Sequence, residues 1–490
     1  MSIHEGSEEC SVSPLEWFDI PPTQTAVERS YDVEFLPTSA LQEGGVVEFY
    51  CPATTEDYID LKNSRLYVRA RIVRSNGTEM EANERVAPVN NLLQSMWSNV
   101  ELLVNDRLVT HSNNVHSYVS ILSHLLHDSN EMLNSEKQMQ MIFKDTPGQF
   151  DETNSTVPNP DNIIAGRSFR KVYVGELAAN PDAAEEAEPQ ILEFGEQVQE
   201  VAADSIVGNN GLYHRYLRVQ ESRAFEMLGN IRLDLMEQLR YLPNGLALKL
   251  RLHQQRNSFC LMYPVQQIDE VQRIYKLELL GARFIARKIK PSAGVLLGHA
   301  DALTKQPAQF PIIRKECKSF AVPGGISQFK QDNIFLGQLP TRVVVAMVRG
   351  TAFSGSPQQN PFKFDHYNAS LVQIYADGEP VRSRPLQPNI NDRIFIEAYN
   401  SLYSELGKVD GDRGSIVKLE DWPLGYSLFA FSLSPDTDCD DHISLVKHGN
   451  LRVEVQFNAA LPHAVQLLVY AKFNNTIKVD LNRQLLVGYV

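Results

Sequence analysis

Gly229-Asn230-Ile231-Arg232-Leu233-Asp234-Leu235 and Gly449-Asn450-Leu451-Arg452-Val453-Glu454-Val455 are two passages of one 490-residue chain, identical at three positions and chemically equivalent at the other four. Apolar residues alternate with polar ones in both, as in backbone with one buried side. Downstream, Leu242-Pro243 and the alternating run at 246–252 are answered by Leu461-Pro462 and the run at 465–473. A period above about 200 residues is too long for a solenoid or a propeller blade, so it reads as a duplicated domain.

Upstream the agreement is looser but keeps its order. Phe49-Tyr50-Cys51-Pro52 stands against Phe320-Ala321-Val322-Pro323, and Arg65-Leu66-Tyr67-Val68 against Arg342-Val343-Val344-Val345. A hairpin follows in each half: Val100-Glu101-Leu102-Leu103-Val104 turns at Asn105-Asp106, and Val372-Gln373-Ile374-Tyr375-Ala376 turns at Asp377-Gly378. Asp-Gly is a strong two-residue hairpin signal because both central residues need positive φ. The early matches lie about 270 residues apart and the late ones about 220, which predicts roughly fifty extra residues in the first copy.

Strands dominate the rest of the chain. Leu66, Val68, Ala70 and Ile72 share one face with Arg69 and Arg71 opposite, and Leu246, Leu248, Leu250 and Leu252 alternate with Ala247, Lys249, Arg251 and His253. Helical spacing is confined to a few segments, 114–126 and 392–406 among them. The expected fold is therefore all-β, with two fused eight-stranded jelly-roll sandwiches and a few short helices in loops; this architecture limits exposed sheet edges. The expected organisation is an N-terminal arm at 1–30, a first roll at 31–262 and a second at 263–490.

Two segments depart from the strand pattern. Between 172 and 214 stand nine acids (Glu176, Asp182, Glu185, Glu186, Glu188, Glu193, Glu196, Glu200 and Asp204) and not one Lys or Arg. Self-repulsion predicts a solvated outward loop, inserted in the first roll where the extra residues are required. The arm carries Pro14, Pro21 and Pro22 beside Leu15, Trp17 and Phe18, an extended segment whose aromatics need a surface to cover them, on its own domain or on another.

A net charge of −14 and the lack of a basic arm argue against gripping phosphate backbones, so no direct specific nucleic-acid binding is expected. The five cysteines (Cys10, Cys51, Cys260, Cys317 and Cys439) are odd in number and form no CxxC pair, which fits a reduced compartment. Residues 1–17 lack the apolar core of a leader, and no later apolar run reaches the roughly 18 residues of a membrane span.

Chemical motifs are incomplete wherever they begin. Asp436, Asp438 and Asp440 open like a calcium loop, but Asp441 stands where Gly is needed and Lys447 where Glu is needed. His124 and His127 could share a helix face as metal ligands near His116, without a third ligand at suitable spacing; surface or interface histidines are the expected reading. Gly407-Lys408 lacks the earlier glycine and the Ser or Thr of a phosphate loop. No catalytic, cofactor-binding or metal residue is assigned, no cofactor is expected, and the chain is not expected to be an enzyme.

Ser95-Met96-Trp97-Ser98-Asn99-Val100-Glu101-Leu102, followed by a hairpin and a helix, resembles the first roll of double jelly-roll major capsid proteins of large eukaryotic DNA viruses. Leu468-Val469-Tyr470-Ala471-Lys472-Phe473-Asn474-Asn475 resembles the closing strands of their second roll. Pro21-Pro22-Thr23-Gln24-Thr25, Glu56-Asp57-Tyr58-Ile59-Asp60-Leu61, Pro88-Val89-Asn90-Asn91 and Asp332-Asn333-Ile334-Phe335-Leu336-Gly337-Gln338-Leu339-Pro340 are similar to hexon-type capsid proteins of Polinton (Maverick) elements and adintoviruses. The resemblance runs from about residue 10 to 490, least in the acidic insertion.

It implies a homotrimer of pseudo-hexameric outline that tiles an icosahedral virion shell around a DNA genome, with neighbouring capsomers and separate penton or minor capsid proteins as partners. Assembly would take place in the host nucleus or cytoplasm. Two other readings stay open at this point: a jelly-roll carbohydrate-binding or adhesin module with a ligand pocket, and a minor vertex capsid protein, which needs only one roll.

Overall fold

In Tyr58–Arg74 the alternation becomes a strand: Leu66, Val68, Ala70 and Ile72 are fully buried, while Arg69 is exposed and Arg71 half-buried. The computed structural model that shows this describes residues 17, 18, 20, 22–154, 208–264, 267–268, 271–272, 274–409, 414–435 and 443–488. Its first eight principal strands are β1 Val27–Phe35, β2 Val46–Cys51, β3 Tyr58–Arg74, β4 Trp97–Val104, β5 Arg107–His111, β6 Phe225–Gly229, β7 Leu248–Gln254 and β8 Tyr275–Pro291. They form two antiparallel sheets, ordered β1-β8-β3-β6 and β2-β7-β4-β5. Phe49 of β2 and Phe284 of β8 meet between the sheets with ring centroids 6.3 Å apart. Around them Leu102, Met236, Leu248 and Leu250 leave a space of about 10 Å³, at most the room of one water.

The next eight are β9 Ala308–Val322, β10 Gln328–Gln331, β11 Arg342–Arg349, β12 Ala369–Ala376, β13 Glu379–Pro380, β14 Leu428–Ser432, β15 Leu451–Phe457 and β16 Val465–Val479. Their sheets are ordered β9-β16-β11-β14 and β10-β15-β12-β13, so adding eight to each label of the first sandwich generates the second. A short β17, Leu485–Val487, extends the end of β16. The chain is mostly β, with two jelly rolls in sequence and a few short helices.

The structure sorts the sequence matches into equivalent and non-equivalent pairs. Arg65 and Arg342 lie in β3 and β11, which correspond, and the hairpins β4–β5 and β12–β13 correspond as well. Both hairpins turn on two positive φ angles, 48° and 60° at Asn105 and Asp106, 52° and 88° at Asp377 and Gly378. The passage at 229–235 does not correspond to 449–455: it leaves β6, continues without a ladder and enters helix α3 (Asp234–Glu237; helices are numbered in chain order with those below), whereas 451–457 is β15. The counterpart of β15 is β7. The runs at 246–252 and 465–473 likewise fall in β7 and β16, and Phe49 and Phe320 in β2 and β9. Ile231, Leu233 and Leu235 are as buried as Leu451, Val453 and Val455, so the shared pattern reports one-sided burial rather than a shared ladder. Between equivalent strands the offset drops from about 270 residues at β4/β12 to about 200 at β6/β14, a larger insertion than the sequence matches imply.

Helices α1 His116–His127 and α5 Ile396–Ser404 follow the two hairpins, where helical spacing places them. Of the acidic segment 172–214, residues 172–207 lie outside the described residues. Residues 210–214 are not part of a solvated loop: they begin α2, Asn210–Val219, whose Leu212, Tyr216 and Val219 are buried along one face. Strand β8 ladders to both β1 and β3, so residues 275–291, on the far side of the 262/263 boundary, pair within the first sandwich. Helix α4, Ala293–Lys305, then leads to β9.

The rolls stand side by side with like ends adjacent. Residues after β16 meet the β4–β5 turn, where the Asn105 side-chain amide donates to the Arg483 carbonyl at 2.9 Å. At the other end, the connections between β5 and β6 and between β13 and β14 touch through Phe150 and Tyr426, with ring centroids 4.9 Å apart.

Candidate functional site

Two clusters of buried polar groups lie along the seam between the rolls. Near the end formed by the long connections, Arg215 of α2 is fully buried and donates to the Asp145 carboxylate at 2.7 Å, to the Pro88 carbonyl at 2.8 Å and to the Phe143 carbonyl at 3.1 Å. Asp145 in turn meets the second roll. The Tyr426 hydroxyl donates to its carbonyl at 2.9 Å and the Asn360 amide to its carboxylate at 3.3 Å. Lys144 to Asp421 at 2.5 Å and Lys363 to Asp151 at 3.1 Å add two ion pairs across the seam.

Farther along, α1 and α3 of the first roll lie against β9 and β16 of the second. Lys315 of β9 donates its backbone N–H to Asp234 at 3.1 Å and its ammonium to Ser123 at 3.2 Å and to Glu237. Arg232 joins Glu237 at 3.4 Å to Asp128 at 3.1 Å, and Lys472 of β16 donates to the His127 ring at 2.5 Å. Burial pushes the Asp234 carboxyl up to about 7 against the opposing pull of Lys315. Burial also opposes the charge of Asp128, yet the hydrogen bond from His124 and the nearby Arg232 hold that carboxyl at about 2. Burial, aided by Arg232, lowers His124 to about 4, and burial alone takes His116 to about 4. His127 is driven well below the usual histidine range by burial and then by Lys472 and Lys315.

The histidines weighed as ligands thus go to separate partners. His116 meets Gln94 Oε1 at 3.0 Å, His124 meets Asp128 at 2.5 Å, and His127 meets Lys472. They are core and seam residues rather than surface ones. Among the described residues no group of three His, Cys, Asp or Glu is arranged to hold a metal. Asp436, Asp438, Asp440 and Asp441 lie outside the described residues. Gly407, with φ 64°, and Lys408 lie in the turn after α5, the Lys408 N–H donating to the Tyr403 carbonyl at 2.9 Å. Cys51, Cys260 and Cys317 are free and buried, and burial pushes the thiols of Cys260 and Cys317 up to about 12. No described helix is long and apolar enough to cross a membrane.

Sequence reasoning missed the seam. The available signal was a charge inside an apolar run, Lys472 between Ala471 and Phe473 after Leu467 to Tyr470; Lys315, flanked by Arg314 and Glu316, carried no such mark. Such a charge points to a buried partner.

Sandwiches of this topology, paired in one chain and locked along such a seam, define the double jelly-roll fold. The chain is similar over its whole length to a chain of the Sputnik virophage cryo-EM structure (TM-score 0.60, 11% identity, 100% of this chain and 95% of that one). It is also similar to the mavirus major capsid protein (TM-score 0.51, 10% identity, 99% and 96%) and to the Faustovirus major capsid protein (TM-score 0.50, 8% identity, 94% and 92%). In sequence it is 23% identical over 482 residues to an uncharacterized protein of Caenorhabditis elegans, covering 96% of this chain and all of that one. No family model matches the chain.

Proposed function

We propose that this chain is a major capsid protein whose work is assembly: three copies form a pseudo-hexameric capsomer, and capsomers tile an icosahedral virion shell around a DNA genome. The observation that carries this reading is the duplicated roll itself, matched end to end by viral chains of the same architecture. A double jelly roll is a wide rigid block, and three such blocks present six sandwiches around a threefold axis. The buried seam supports the role, because an assembly unit with two freely moving halves could not hold a lattice angle.

We further read the gene as belonging to the Polinton and adintovirus type. The hexon-like passages of the sequence support this, and so does a nematode relative of matching length, since a capsid gene carried in an animal genome would leave such a relative. The units divide at α4, after β8 has closed the first roll. The role is structural rather than enzymatic, with penton or minor capsid proteins as partners at the vertices. Neutralising the genome falls to other proteins, given the net charge of −14.

Electron microscopy of the purified protein tests the proposal. Threefold particles with a hexagonal base are expected; monomers persisting across a wide concentration range would overturn it.

A further inference from the structure

Two lysines of the second roll, cross-strand partners in the β9–β16 ladder, hold helix α1 of the first. Lys315 reaches Ser123, and Lys472 reaches His127, the last residue of α1. The second contact is chemically one-sided. An ammonium has three donors and no acceptor, so the 2.5 Å bond from Lys472 Nζ to His127 Nε2 needs an imidazole whose Nε2 lone pair is free. Nδ1 then carries the ring proton, and it is enclosed without a hydrogen-bond partner. A further proton has only Nε2 to bind, where it meets the ammonium head-on.

The charges acting on the ring come from every element packed around it. Lys472 of β16, Lys315 of β9, Lys408 after α5 and Arg232 before α3 all oppose a positive charge there. Arg342 of β11, the other ladder neighbour of Lys472, adds another cation beside Lys408. The acids of this cluster are already engaged: Glu237 by Lys315 and Arg232, Asp128 by His124 and Arg232, and Asp234 by the Lys315 backbone N–H. Burial and then these cations keep the ring neutral through the ordinary histidine range, so the contact is intact above it and is lost only as pH falls well into acid. The other cluster of the seam, Arg215, Asp145, Tyr426 and Asn360, contains no histidine.

We propose that the His127–Lys472 contact is an acid-released latch between the two rolls: protonation of His127 drives Lys472 off the end of α1, and the rolls part there while each sandwich stays folded and the Asp145–Tyr426 end holds as a pivot. The latch is a property of the single chain and stands apart from the shell reading. In a shell it would loosen each subunit from within.

Two native thiols report the opening. Cys317 lies two residues from Lys315 on the same face of β9, buried near the Tyr118 hydroxyl of α1, whereas Cys51 is buried inside the first sandwich. The full-length chain is pulsed with a dipyridyl disulfide, which reacts with thiols in acid as well as at neutrality, while pH is lowered stepwise; modified cysteines are mapped by mass spectrometry, with rates taken relative to the same thiols in urea. Cys317 should react several-fold faster in acid while Cys51 stays protected. His127→Gln, which keeps an acceptor for Lys472 but does not titrate, should abolish the acceleration. Lys472→Met, which removes the nearest opposing cation, should move the acceleration to higher pH and keeps the proposal testable if the glutamine variant does not fold. Cys317 and Cys51 becoming reactive together would show acid unfolding in place of parting and overturn the latch. An acceleration unchanged by His127→Gln or unmoved by Lys472→Met would overturn it as well.

Discussion

The hydroxyl of Tyr426, in the second roll, donates at 2.9 Å to the backbone carbonyl of Asp145, in the first, while the carboxylate of Asp145 holds the fully buried Arg215 at 2.7 Å. One residue therefore serves the fold of one roll and its attachment to the other. Removing one partner of a buried pair strands the remaining charge. Asp145→Ala should cost about 3–5 kcal/mol in urea unfolding, and Arg215→Met on the same chain should recover part of the loss.

Gly425 has φ 106°, and a Cβ there would come within 2.5 Å of the Phe150 ring that packs on Tyr426. Gly425→Ala combines backbone strain with overpacking at the seam. A loss of about 1–3 kcal/mol is expected, with hydrogen exchange rising around residues 145–151 and 421–426. An unchanged urea midpoint would contradict the assigned packing.

Asp234 titrates at about 7 in the fold and near 3.8 when unfolded, because burial disfavours its charge. Between those values the native state holds a proton that the unfolded chain has lost, so this residue's contribution falls as pH rises from about 4 to about 7. Asp234→Asn should leave stability little changed at pH 4 and raise it above pH 7. The measurement is the difference between variant and natural chain across that range; a flat difference would sink the assignment.

His116 and His124 act in the opposite sense. Both titrate at about 4 in the fold and 6.5 when unfolded, so they remain neutral inside while the unfolded chain takes up protons. Their contribution is complete above pH 6.5 and is lost as pH falls toward 4. His116→Asn, which can still meet Gln94, should flatten the acid side of a thermal stability profile relative to the natural chain.

The strands, both hairpins and the helices after them were legible because each rests on local signals: alternation at Leu66 to Ile72, and positive-φ turns at Asn105-Asp106 and Asp377-Gly378. Register between the copies was not. Residues 229–235 and 449–455 look alike because one-sided burial selects the same residue types in a ladder and in an unpaired connection.

By itself the sequence determined that the chain is two sandwiches rich in strands, since period-two burial and turn chemistry act over a few neighbouring residues. Tertiary structure alone decided that Arg215, Asp234, Lys315 and Lys472 are seam residues and that β8 closes the first roll. Those facts depend on partners up to several hundred positions away. A buried charge is recognisable only once the opposite charge that stabilises it has been brought alongside.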